Sequence, residues 1–237
     1  MHIRLKREGW IMVYLPSLSC ADLLNLEADV KELIRAGHSL FHIDLMDGHY
    51  VPNLCLNLDF VRALKERFDC TIDVHLMVED PFSYVQACAD AQVDYLSFHF
   101  DAVYHPYRLL TQIQSCGMKA GIVLNPGNRP EDIADLAKIM DYCLIMSVEP
   151  GFYGQKFMDV AYKKIQYLDT LRKRENLHFQ ISVDGGIDVE SGKKCKLLGA
   201  DMMVMGVFSF FHQKLPIYDA CREYVEKIEG DQLWKHN

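Results

Sequence analysis

The chain has 237 residues, half of them hydrophobic, and a formal net charge of -8 at pH 7. That supports one sizeable core and excludes the broad basic footprint of a nucleic-acid-binding protein. No run reaches the length of a membrane span, and the eight cysteines include no Cys-x-x-Cys pair, which fits reduced thiols in a cytoplasmic setting.

Residues 1–11 open with a basic stretch and read as a flexible extension, with Met12 a possible start; 10–15 is apolar but too short for a signal peptide. Eight apolar runs follow and are predicted as strands: 12–15, 40–44, 71–75, 95–98, 119–124, 142–147, 179–183 and 202–205. Helical periodicity fills the gaps. Leu23, Leu26, Val30, Leu33 and Ile34 form one apolar stripe over 22–36, and Ile165, Leu168 and Leu171 form another. Helix starts are signalled by Asp80-Pro81, by Arg129-Pro130-Glu131-Asp132 and by Asp188 before Val189-Glu190-Ser191. Gly37, Gly117 and Gly199 mark helix ends. The basic cluster Lys163, Lys164, Arg172, Lys173 and Arg174 reads as the solvated face of a helix. Strand and helix alternating eight times without a linker predict a single (β/α)8 TIM barrel over 12–230, followed by a tail at 231–237. A doubly wound open sheet is the alternative.

Three predicted strands are interrupted by polar groups near their C-terminal ends. These are His42 and Asp44, then His75, then Asp184 in Val183-Asp184-Gly185-Gly186. Residues two apart on a strand share a face, so His42 and Asp44 point the same way. Four such groups buried without partners would be very unfavourable. Two imidazoles and two carboxylates suit one divalent transition metal: zinc, iron, manganese or cobalt. Asp44 and Asp184, on different strands, also suit a two-base proton transfer at a carbon beside a carbonyl. Met46, Met77 and Met146 are either core filler or an apolar wall around that chemistry.

Glycines recur after the sixth, seventh and eighth strands, in Pro150-Gly151-Phe152-Tyr153-Gly154, in Gly185-Gly186 and in Gly206-Val207. Backbone N–H groups there can approach an anion, and barrels often hold phosphate after strands seven and eight. The set points to a phosphorylated ketose, with its phosphate at one end and its reacting carbons at the other.

With these motifs in place, the chain resembles the ribulose-phosphate 3-epimerase family over 14–212. The resemblance is carried by Pro16-Ser17-Leu18, His42-Ile43-Asp44-Leu45-Met46-Asp47-Gly48-His49-Tyr50-Val51-Pro52-Asn53 and His75-Leu76-Met77-Val78. It is also carried by Leu124-Asn125-Pro126, Met146-Ser147-Val148-Glu149-Pro150-Gly151-Phe152 and Val183-Asp184-Gly185-Gly186. It implies interconversion of D-ribulose 5-phosphate and D-xylulose 5-phosphate, with metal on His42, Asp44, His75 and Asp184 and acid/base roles for the two aspartates. It further implies substrate contacts from Ser17 and His75, phosphate held by the glycine loops, and a homo-oligomer. Tyr153, Val207 and Glu149 depart from the family's usual residues. The segment Asn53-Leu54-Cys55-Leu56 is similar to the allulose-6-phosphate 3-epimerases, which makes a six-carbon ketose the alternative substrate. A non-catalytic sugar-phosphate-binding barrel is a further alternative. The Asp-x-Lys-x-x-Asp motif of a related decarboxylase group is missing from the site segments.

Overall fold

A computed structural model of the chain describes residues 12–211 and 214–230. The extension expected at 1–11 and the tail expected at 231–237 lie outside the described residues. Eight parallel strands form one sheet in the order β1-β8-β7-β6-β5-β4-β3-β2. They are β1 (Val13–Pro16), β2 (Leu40–Met46), β3 (Thr71–Met77), β4 (Tyr95–His99), β5 (Lys119–Leu124), β6 (Tyr142–Met146), β7 (Gln180–Asp184) and β8 (Met202–Met205). The ring closes between β1 and β2, where Ser17 pairs with His42 in a parallel bridge. Sequential strand order around a closed ring is the (β/α)8 barrel, and it overturns the doubly wound alternative.

Between the strands run α1 (Leu26–Arg35), α2 (Leu58–Arg67), α3 (Val85–Asp90), α4 (Pro106–Ser115), α5 (Val160–Glu175), α6 (Val189–Leu198) and α7 (Ile217–Glu229). The β5–β6 connection is a 3₁₀ segment, Pro130–Lys138, rather than an α-helix. The Asp188 signal is a full capping box: Asp188 Oδ1 accepts from Ser191 N at 2.8 Å, and Ser191 Oγ accepts from Asp188 N at 2.9 Å. Asp80-Pro81 opens a short 3₁₀ turn that leads into α3.

Two cores follow from strand alternation. Phe41, Ile43 and Leu45, like Ile72, Val74 and Leu76, pack outward under the helices. Leu15, Val123, Leu144, Met146, Met202 and Val204 fill the barrel interior.

Three expectations are corrected. Strands β2 and β3 run two residues further than expected, to Met46 and Met77, and β7 is shifted by one residue to end at Asp184. Helix α1 begins only at Leu26, so Leu23 lies outside it and is 64% exposed, while Ile34 sits at the rim of the buried stripe. The basic cluster is not uniformly solvated. Lys164 is buried and donates to the carbonyls of Asn125, Pro126 and Asn128. Arg172 donates to Asp169 and Asp201. A cation enters a core when local acceptors replace its water, which charge counting along the chain does not reveal.

Candidate active site and metal centre

Register brings the polar groups together. Asp44 is the lateral partner of His75, and Met46 of Met77, between β2 and β3; Met146 is the partner of Asp184 between β6 and β7. One donor atom from each of His42, Asp44, His75 and Asp184 lies within 4.8 Å of the other three. Asp44 Oδ1 is 3.2 Å from both His42 Nε2 and His75 Nδ1. Asp184 Oδ2 is 3.8 Å from His42 Nε2 and 3.9 Å from His75 Nδ1. Four donors at about 2.1 Å from a shared ion sit roughly 3.4 Å apart, so the two nitrogens and two oxygens fit a four-coordinate transition ion.

Three of the four ligand candidates are held from behind. His42 Nδ1 lies 2.7 Å from Asp73 Oδ2, and Asp73 Oδ1 accepts from the Tyr142 hydroxyl at 2.8 Å. Gly121 makes room for that ring, since a Cβ there would lie 2.4 Å from Tyr142 Cζ. Asp44 Oδ2 accepts from Ser17 Oγ at 3.1 Å and from Ser19 Oγ at 2.9 Å. His75 Nε2 lies 2.8 Å from His99 Nε2.

The electrostatics separate the two carboxylates. Burial alone would raise Asp44, but His42 and His75 beside it outweigh that and hold it well below the usual carboxylate range. Asp184 is pushed up to about 6, chiefly by burial, with the Asp44 charge adding to it and the imidazoles opposing. Burial lowers His42, yet Asp44 and Asp73 more than compensate and hold it well above its ordinary value.

A cavity of about 960 Å³ opens over this cluster at the C-terminal mouth of the barrel. Asp44 and Asp184 reach it with side chains 13% and 16% exposed. Ser17, Met46, Met77 and Met146 line it, as do Gly151, Phe152, Tyr153, Gly154, Gly185, Gly186, Gly206 and Val207. His75 is different: it is fully buried behind Asp44 and is not among the lining residues, so it is placed as a ligand candidate rather than as a surface for substrate.

The glycine loops are braced toward this cavity. Ser147 Oγ lies within hydrogen-bond reach of the carbonyls of Asp184 and Gly185, and Asn53 Nδ2 donates to Gly151 O at 2.8 Å. The N–H groups of Gly185, Gly186 and Gly206 donate to nothing among the described residues. Glu149 is exposed and also lines the cavity, while Gln155 Nε2 donates to its carbonyl at 2.7 Å.

Sequence reasoning missed Ser19, His99 and the supporting role of Asp73. Asp73 carried a usable signal, because its spacing from His75 repeats that of His42 from Asp44. His99 is the last residue of β4.

Comparison with known proteins identifies the family. The model of the ribulose-phosphate 3-epimerase family matches residues 13–210. Ribulose-phosphate 3-epimerase of Chlamydia muridarum is 35% identical over 96% of this chain and 98% of its own length. The protein of that name from Methanocaldococcus jannaschii is 37% identical over 92% and 94%, and that from Bacillus subtilis 37% over 81% and 88%. Among solved structures, a mutant tryptophan synthase alpha-subunit from Pyrococcus furiosus superposes with a TM-score of 0.64 at 12% identity, covering 92% of this chain and 96% of that one, a likeness of fold alone. No helix among the described residues is long and apolar enough to cross a membrane. A family match across the whole barrel, with the motif aspartates and histidines gathered at one mouth, makes the chain a member of the ribulose-phosphate 3-epimerase family and an epimerase of the isomerase class.

Proposed function

We propose that the chain interconverts D-ribulose 5-phosphate and D-xylulose 5-phosphate by inverting C3, with Asp44 and Asp184 moving the proton. The observation that carries this reading is the convergence of His42, Asp44, His75 and Asp184, with the two carboxylates reaching a cavity that the glycine loops also line. The name shared by the curated relatives supports the substrate.

Two carboxylates from β2 and β7 approach the cavity from different strands, as a two-base inversion requires. Asp44 takes the C3 proton from one face, and Asp184 returns a proton to the other. His42, Asp44, His75 and Asp184 would hold a divalent transition ion (zinc, iron, manganese or cobalt), which would supply positive charge to stabilise the enediolate. Ser17 and Ser19 hold the second oxygen of Asp44, which keeps the carboxylate from rotating away from C3. Met46, Met77 and Met146 form an apolar wall that limits access of water to the reacting carbon. At the far end, the N–H groups of Gly185, Gly186 and Gly206, with the loop Gly151, Phe152, Tyr153, Gly154 and the neighbouring Val207, hold the phosphate.

The test is a side-by-side kinetic comparison of ribulose 5-phosphate with allulose 6-phosphate. The five-carbon substrate is expected to have the higher kcat/KM; preference for the six-carbon one would move the assignment to hexulose phosphates. Asp44→Asn and Asp184→Asn are each expected to lower kcat about 10²–10⁴-fold without loss of fold. Near-normal epimerisation by either variant would refute the two-carboxylate scheme.

A further inference from the structure

His75 presents Nδ1 to Asp44 and Asp184, so its other nitrogen, Nε2, points away from the ligand cluster and sits 2.8 Å from His99 Nε2. Both rings are fully buried. Two imidazole nitrogens at that distance share one proton. Were that proton to belong to His99, His75 would carry its own on Nδ1 and have no lone pair there. A ligating His75 must therefore be protonated on Nε2, with His99 Nε2 as acceptor. That places the His99 proton on Nδ1, which needs an acceptor of its own.

Asn125 supplies it. His99 Nδ1 and Asn125 Oδ1 are both buried and neither has another partner among the described residues. The two side chains interact, although outside regular hydrogen-bond geometry. The carboxamide is oriented from its opposite end. Asn125 Nδ2 donates to Tyr50 Oη at 2.6 Å and to Asp101 Oδ2 at 2.9 Å. An ionised carboxylate cannot donate, so the amide nitrogen belongs on that side and Oδ1 is left as the acceptor for His99. The Tyr50 hydroxyl agrees, because it accepts from Asn125 and donates to Asp101 Oδ1 at 2.8 Å. Its ring lies against His99 with centroids 4.5 Å apart. Lys164 fixes the loop that carries Asn125 by donating to the carbonyls of Asn125, Pro126 and Asn128.

We infer that His99 and Asn125 are positioning residues: a one-directional hydrogen-bond relay from Asp101 through Asn125 and His99 fixes the tautomer of His75 and leaves its Nδ1 free as a metal ligand. The relay does for His75 what the Asp73 carboxylate does directly for His42, without adding a buried charge beside the ring. The inference rests on the metal-centre reading above.

The experiment uses full-length protein freed of metal. Zn2+ affinity is measured by competition with a chromophoric chelator, and imidazole protonation is read by long-range 15N–1H NMR after Zn2+ has been returned to the protein. His99→Phe keeps a ring against Tyr50 but removes both nitrogens; His99→Gln restores an acceptor toward His75 and a donor toward Asn125. His99→Phe is expected to bind Zn2+ about 10–100-fold more weakly, and His99→Gln within a few-fold of the parent. In the unmodified protein His75 is expected to be protonated on Nε2 and His99 on Nδ1, a readout that needs no variant to fold. Equal Zn2+ affinity in His99→Phe and the parent, or a Zn2+-loaded parent with His99 protonated on Nε2, overturns the relay alone. A parent protein with no tight Zn2+ site overturns the metal centre and the relay with it.

Discussion

Both oxygens of the Asp44 carboxylate are committed to neighbours: Oδ1 meets two imidazoles and Oδ2 receives two serine hydroxyls. Part of this was legible in the sequence. Asp44, His42, His75 and Asp184 stand out because a charged or titratable group breaking an apolar strand must be satisfied by something. Ser19 was not legible, since it lies on the short 3₁₀ turn Leu18–Cys20, whose direction no hydrophobic period encodes. His99 was not separable from a satisfied core histidine until its neighbours were known. Gly186 allows a sharp test of the proposed phosphate end. Its φ is +62°, and a Cβ there would lie 2.5 Å from Gln155 O and 2.7 Å from Phe157 N, both backbone atoms. Gly186→Ala is expected to cost on the order of 1–3 kcal/mol and to raise KM for the sugar phosphate. An unchanged KM would remove this turn from the binding site.

The strands were readable because eight apolar runs punctuated by helix signals leave few alternatives, and β5 and β8 run over the residues expected. Their ends were less readable. Met46 and Met77 are apolar residues that continue their strands as cavity lining, and composition does not say whether such a residue ends a strand or extends it. The β5–β6 connection shows the same limit, because its helical period persists while the backbone tightens to 3₁₀. Lys164 is the clearest case in which tertiary context overrode local character. Burial holds its ammonium below its ordinary pKa, and three carbonyls of the loop after β5 replace its water. Lys164→Met would leave those carbonyls without their donor. The expected cost is about 2–4 kcal/mol, read as a lower urea midpoint at constant m-value. A loss below a few tenths of a kcal/mol would mean that the loop finds other donors.

At the scale of the whole molecule, the barrel divides its labour between its mouth and its outer layer. Chemistry-bearing groups gather at the mouth, while packing such as His38 against Phe210, with ring centroids 4.8 Å apart, ties the barrel's outer layer. Burial pushes His38 down to about 4. Because the folded value lies below the unfolded one of about 6.5, the neutral ring favours the fold above that pH. This contribution, roughly 2–3 kcal/mol, is lost as pH falls from about 6.5 toward 4. The difference in unfolding free energy between the parent and His38→Phe is expected to change by that amount across the window; a pH-independent difference would show that the ring is solvated. The proposed C3 epimerisation depends on four side chains from three strands sharing one ion. Its most direct test is turnover of ribulose 5-phosphate by protein stripped of metal and titrated with Zn2+, Mn2+, Co2+ or, without oxygen, Fe2+. Activity is expected to vanish on stripping and to return with one equivalent of an effective ion per chain. Full turnover by verified metal-free protein would contradict the account.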